Sequence, residues 1–224
     1  MERRNKAQAP IARQGTILLF VILALLLIDQ ISKIWVKTTM VEGEIIELAS
    51  WARIYFIENE GMAYGITIGS KLFLTLFRIV AMTVGSWYLF RLLRTGVYSM
   101  GFLLTLALII AGGFGNIIDC VFYGEIFSSS QGVVAQFVPW GEGYGSLLHG
   151  KVVDMLSFPL IRTTYPEWFP YFGGEPFVFF SPIFNFADSC ISVGVFLLLT
   201  CYPRTFSQML DSMGNKAEEK KSEV

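Results

Sequence analysis

The stretch TILLFVILALLLIDQISKIWV, residues 16–36, decides the class of this protein. Its apolar run from Thr16 to Ile28 is short for a membrane span, but the pattern continues through Ile31, Ile34, Trp35 and Val36. One helix of about 20 residues, the length a bilayer requires, therefore carries Asp29 and Lys33 along with it. Those charges are four residues apart on one helical face, where a carboxylate and an ammonium pair and lower the cost of lying near the end of a span. A cleavable signal peptide, suggested by Arg3, Arg4, Lys6 and Arg13 ahead of the run, would need a small-x-small cleavage site, and none follows.

Three more apolar stretches follow at residues 72–90, 97–118 and 183–202. With 54% apolar and 16% charged residues and a mean hydropathy of +0.55, the composition is too apolar for an ordinary soluble domain. The fold class is an all-α integral membrane protein: residues 1–224 form one membrane domain with four transmembrane helices at 16–36, 72–90, 97–118 and 183–202. Lys and Arg in short loops stay in the cytoplasm. They fall before the first helix, at Arg91 and Arg94 between the second and third, and at Arg204, Lys216, Lys220 and Lys221 after the fourth. Both termini are thus expected inside, 203–224 as a cytoplasmic tail and, like residues 1–14, with little fold of its own. The connections 37–71 and 119–182 are expected as outer loops.

In the first outer loop, alternation through Trp51, Arg53, Tyr55 and Ile57, with 44–48 upstream, reads as a small β-hairpin cradle on the membrane surface. The second is rich in turn residues and in rings, among them Trp140, Trp168, Phe169, Tyr171, Phe172, Phe177, Phe179 and Phe180, which suit a membrane–water interface and a lip that contacts lipid or substrate. Ser181 and Pro182 read as the cap and first residue of the fourth helix. Gly112, Gly113 and Gly115 would let another backbone approach the third. Cys120, Cys190 and Cys201 have no metal-type spacing, and Cys190 and Cys201 read as packing residues.

Ionisable groups near a span are expensive, so their positions guide function. Asp29, Gln30, Lys33, Asn59, Gly61, Asn116, Asp119, Asp154, Asn185 and Asp188 all converge on the outer side, although the orientation rests on basic residues alone. Asn185 and Asp188, at i and i+3, share a face at the start of the fourth helix. A poorly solvated carboxylate with a second one nearby has a raised pKa, and such a pair can share one proton, the requirement of an aspartic protease. Asp154, in the apolar run KVVDML, is the chosen partner, but periodicity alone leaves Asp119 open. His149, five residues before Asp154, has no nucleophile and orienting group to make a triad. A small membrane carrier or ion-translocating protein, in which Asp29, Asp119 and Asp188 relay protons or bind a cation, is the alternative from another class, but no polar path continues inward along helices two to four.

The blocks DQISK at 29–33, NEGMAYG at 59–65, GGFGNIID at 112–119, GKVVDM at 150–155 and FNFAD at 184–188 resemble, in order, those of the lipoprotein signal peptidases, or signal peptidase II. The resemblance implies a bacterial inner-membrane aspartic endopeptidase that cleaves diacylglyceryl-modified prolipoproteins just before the lipidated cysteine. Asp154 and Asp188 would be the catalytic pair; Asp29, Lys33, Asn59, Gly61, Asn116, Asp119 and Asn185 would support the site or bind substrate. Membrane lipid is the other expected partner, the chain is expected to act as a monomer without nucleic acid, and no metal or organic cofactor is implied. Two departures stand out. Cys120 occupies the place of a family arginine, for which Lys151 or Arg162 could substitute, and the links from Asp119 to Asp154 and from Asp154 to Asp188 are unusually long, as loop insertions.

Overall fold

The computed structural model describes residues 2–60 and 70–222, with side chains over 11–60 and 70–212. Gly61, expected at the site, lies outside the described residues.

Helix α1 (Glu2–Thr39) includes the expected first span. Helix α2 (Lys71–Thr95) starts at a Ser70 cap, whose side chain accepts from the Phe73 N–H, and α3 (Met100–Ile118) starts likewise at Ser99. The chain does not leave the helix at Asp119 as expected. It continues through a π-helical turn (Asp119–Tyr123) into a last short helix α4 (Gly124–Ile126). The fourth stretch differs too. Ile183–Phe184 form a strand, β6, and helix α5 (Phe186–Thr200) begins only after Asn185. Asn185, not Ser181, is the cap, because its side chain accepts from the Asp188 N–H while the Asp188 side chain accepts from the Asn185 N–H.

At 15 residues α5 is too short to cross alone. It joins α6 (Pro203–Ser222) through an 89° bend where proline cannot continue the ladder. The described residues thus hold three helices long and apolar enough to span, or four if α5 and the start of α6 form one broken span. The ends of the chain, read as tails with little fold, are helical within α1 and α6, in keeping with runs such as AEEKK that have high helix propensity.

Helix α3 is the most buried span, and α5 lies against it. A Cβ on Gly112 would sit 2.3 Å from the Ala187 carbonyl oxygen, and one on Gly115 would sit 2.6 Å from an Asp29 carboxylate oxygen. Glycine is therefore required at both for α1, α3 and α5 to converge. Leu18, Leu89, Phe102, Leu103, Ile110, Leu198 and Met209 pack the membrane portion, while Leu19, Phe20, Phe73, Phe77 and Val80 remain exposed, as lipid-facing residues do.

The sheet is larger than the expected hairpin. Strand β1 (Ile45–Ala49) pairs antiparallel with β2 (Ala52–Asn59), β2 with β3 (Val152–Ser157), and β3 with β6, giving the order β1-β2-β3-β6. Val153 and Met155 join Val36, Met40, Phe56, Tyr123 and Phe127 in a second apolar cluster. Side chains alternate along a strand, so Asp154 projects to the other face. The insertion 127–151 also has a structural task. Its Gly145, Leu148 and Gly150 N–H groups donate to the carbonyls of Gly124, Val121 and Cys120, which ties the insertion to the end of the helical run that closes with α4. A second sheet, β4 (Ile161–Thr164) with β5 (Pro176–Phe179), stands apart from the first.

Candidate active site

Two charge clusters of different character form where α1, α3, α5 and β3 meet. In the first, Lys33 is fully buried and its ammonium lies 2.9 Å from Asp29 and 2.8 Å from Asp119. The i,i+4 pair read from the sequence is thus one edge of a triad, completed by a carboxylate from the π-helical turn. Asp29 also accepts from the Ala187 N–H at 2.9 Å, and Asp119 from Gln30 Nε2 at 3.0 Å and from the Val153 N–H at 3.2 Å. Each carboxylate therefore ties its own helix to another element, α1 to α5 and the end of α3 to β3. A buried charge is tolerable only with such a full complement of partners. Gln30 closes the set, accepting from the Tyr123 hydroxyl at 3.0 Å.

The second cluster holds Asp154 and Asp188, and its partners are amides. Asp154 Oδ2 accepts from Asn59 Nδ2 at 3.0 Å and Oδ1 from Asn185 Nδ2 at 2.7 Å. Asp188 Oδ1 accepts from Asn116 Nδ2 at 2.8 Å, and its Oδ2 from the Asn185 N–H at 3.3 Å. Asn185 therefore contacts both carboxylates, and it also donates to Asn116 Oδ1 at 3.0 Å. Lys33 donates to that same oxygen at 2.9 Å, so Asn116 links the two clusters. Among the described residues neither Asp154 nor Asp188 has an ion-pair partner. Asp154 is 3% exposed, and Asp188 is half-buried.

Burial pushes the Asp154 carboxyl up to about 7; the hydrogen bonds from Asn59 and Asn185 oppose this, and the nearby Asp188 charge adds to it. Two carboxylates that sense each other, one buried and one reachable from outside, can hold a single proton between them. In the triad one ammonium sits between two carboxylates, so a proton taken up there would replace an ion pair with Lys33. No group of His, Cys, Asp or Glu able to hold a metal occurs among the described residues.

Of the residues expected at the site, Asp29, Lys33, Asn59, Asn116, Asp119, Asp154, Asn185 and Asp188 come together within this one network. His149 does not: it is exposed, with its ring nitrogen beside Ser146 Oγ and the Leu147 carbonyl. Neither expected substitute for the family arginine is found at Cys120. Lys151 pairs with Glu58 at 3.6 Å and Arg162 with Glu47 at 3.5 Å. The guanidinium beside the Cys120 sulfur, at 3.7 Å, is that of Arg78 on α2. Sequence reading did not single out Arg78, although a charge inside an apolar span was the available signal.

It also missed a third buried group. Lys37 is fully buried against Glu58, with Ser130 Oγ at 3.0 Å and the Phe127 and Tyr144 rings at 5.3 and 4.7 Å. This group fastens α1, β2 and the insertion together beneath the sheet that carries Asp154.

The chain is 58% identical over 198 residues to a lipoprotein signal peptidase of Porphyromonas gingivalis, with 88% of each chain covered. It is 35% identical over 178 residues to one of Amoebophilus asiaticus, covering 77% of this chain and 71% of the relative. Two solved structures of bacterial membrane enzymes share the fold, with TM-scores of 0.56 and 0.58 at 24% and 23% identity; they cover 84% and 87% of this chain and 92% and 91% of theirs. The family model for signal peptidase (SPase) II matches residues 21–203, and the chain therefore belongs to the signal peptidase II family.

Proposed function

We propose that this chain is an aspartic endopeptidase that removes signal peptides from diacylglyceryl-modified prolipoproteins, with Asp154 and Asp188 as its catalytic pair. One observation carries the choice of pair: these two carboxylates are held by neutral amides, whereas Asp29 and Asp119 are held by Lys33. Only the first pair can exchange a proton near neutral pH without breaking an ion pair.

In the resting site Asp154 holds the shared proton and Asp188, with the Asn116 amide and the Asn185 N–H on its oxygens, is the carboxylate. Asp188 takes one proton from a water as the water oxygen bonds to the scissile carbonyl carbon, and Asp154 gives its proton to the carbonyl oxygen. Collapse of the resulting diol breaks the C–N bond. The amide nitrogen leaves with the proton from Asp188, and one hydroxyl proton returns to the pair. Asn185, in contact with both carboxylates, fixes their separation, and Lys33 acts through Asn116 as a positioning residue. This chemistry needs only water.

Asp188 lies two residues after Phe186, the first residue of α5, so the reaction takes place near the membrane surface, where a lipid-anchored substrate can reach it. In this reading the whole chain is one membrane domain with four spans, α5 and the start of α6 serving as the broken fourth. The termini face the cytoplasm, and the four-stranded sheet covers the site on the outer side. It rests on the Lys and Arg distribution and on the place of Asp154, buried on β3 between β2 and β6.

The test is cleavage of a diacylglyceryl prolipoprotein peptide by purified protein in detergent. Asp154→Asn and Asp188→Asn should each abolish cleavage while leaving insertion and substrate binding intact, and the double variant should be hardly worse than either. Near-normal cleavage by either single variant removes that residue from the pair.

A further inference from the structure

Strands β4 and β5 pair only with each other. An isolated two-stranded hairpin is marginal in water. Part of its hold is internal: the Tyr165 ring lies 5.1 Å from those of Phe169 and Phe177 and 5.8 Å from that of Phe172. Phe172 also presents surface outward, together with the remaining rings. Trp168 is 79% exposed, Tyr171 97% and Phe172 50%, and Phe179 and Phe180 are exposed as well. Tyr171 and Phe180 have φ values of 68° and 63°, left-handed backbone that bulky side chains rarely adopt, so strain accompanies this outward display.

Apolar exposure on this scale marks a surface that meets something other than bulk water. Three observations identify it as lipid. First, β5 ends at Phe179, and Phe186 opens α5 seven positions later. Seven residues reach at most about 24 Å, so the hairpin is tethered close to the plane where that helix enters the bilayer. Second, Trp and Tyr join an apolar body to a polar edge, which is the chemistry of the headgroup–acyl boundary. Third, the only charged residues in 158–182 are Arg162, Glu167 and Glu175, and Arg162 is paired with Glu47 on β1. That leaves neither a basic patch for anionic headgroups nor a charged rim for a protein partner.

The root of the hairpin is fixed to the main sheet. Trp51 and Phe158 stack at 6.2 Å, Phe158 and Phe184 lie 5.7 Å apart, and Phe180 and Phe184 lie 6.1 Å apart. We propose that the β4–β5 hairpin is an interfacial paddle whose Trp168, Tyr171 and Phe172 rings insert into the headgroup–acyl boundary of the leaflet that α5 enters at Phe186. Through the aromatic row and the Arg162–Glu47 pair, the paddle sets the height of the sheet that bears Asp154 above that leaflet. This consequence rests on the proposed function; the insertion itself rests only on the reading of α5 as the start of the broken fourth span.

The experiment reads depth and not cleavage. A nitroxide is attached at Trp168→Cys or Tyr171→Cys, each in full-length Cys201→Ser protein, because Cys201 is an exposed thiol whereas Cys120 and Cys190 are buried. The protein is reconstituted in phosphatidylcholine vesicles, and collision rates with oxygen and with a water-soluble nickel chelate are compared with those of Gln131→Cys, an exposed position in the insertion. At both paddle positions the oxygen-to-nickel ratio should exceed that of the reference severalfold and should hold in 1 M salt, because the contact is apolar. A ratio equal to the reference places the rings in water and overturns the proposal. Protection from both reagents means that protein covers them and overturns it equally.

Discussion

Replacing Asp154 by Asn should remove catalysis at every pH, whereas its effect on stability should change sign with pH. The folded chain holds this carboxyl at about 7, against an ordinary 3.8, because burial disfavours its charge. A carboxyl raised in this way stabilises the fold fully below the unfolded value, near pH 4, and that contribution is lost as pH rises through 7. The gap of roughly three pH units, at about 1.4 kcal/mol each, puts the loss at about 4 kcal/mol at most. The amide avoids it. Against this, both Asp154 oxygens accept N–H groups, from Asn59 and Asn185, so the new NH2 faces a donor and costs about 1–2 kcal/mol at every pH. Asp154→Asn should therefore be about 1–2 kcal/mol less stable than the parent at pH 4 and about 2–3 kcal/mol more stable at pH 8–9, with the crossing between. Denaturant unfolding in mixed micelles across that range measures it, with cleavage absent throughout. A stability difference that does not change with pH would refute the idea that Asp154 sits protonated in the fold near neutrality.

Parent cleavage should decline as pH rises through about 7, where Asp154 loses the proton it gives to the scissile carbonyl; a pH–rate profile on the lipidated peptide reads this. Asn185→Ala should cost about 1 kcal/mol of stability through the lost cap but nearly all cleavage, since Asn185 contacts both carboxylates; melting and turnover are compared on one preparation. Gly112→Ala should lower melting and cleavage together, because a Cβ meets the Ala187 carbonyl at 2.3 Å and forces α3 from α5, whereas Gly85→Ala, with nothing nearer than 3.9 Å, should leave both unchanged. Asp119→Asn should retain measurable turnover at reduced stability, as Lys33 keeps Asp29 but loses one of its two counter-charges.

Much of this was legible because a bilayer leaves a chain few options. Long apolar runs must be helices, and charges within them must be matched, so Asp29 with Lys33 and Asn185 with Asp188 could be read from spacing alone. Glycines in a span mean close approach, and Gly112 and Gly115 are where α5 and Asp29 come in. Spacing could not rank Asp119 against Asp154 as the partner of Asp188. That depends on which carboxylate Lys33 reaches, and the Lys33–Asp119 contact joins residues from two helices far apart in sequence. The start of the last helix was misplaced because Ser181-Pro182 offers a valid local cap signal, which the pairing of Ile183–Phe184 with β3 overrides. The contacts of Lys37 with Glu58 and Ser130, and of Arg78 with Cys120, were invisible for the same reason, although the Arg78 charge itself stood in an apolar span: each contact brings together groups from distant segments. The sequence by itself determined the membrane class and the polar residues gathered at one end of the helices, since burial energies act on each segment independently. Only the tertiary structure decided which carboxylates are neutralised by a cation and which are left to amides, because that depends on distances of a few ångströms between segments that share no local pattern.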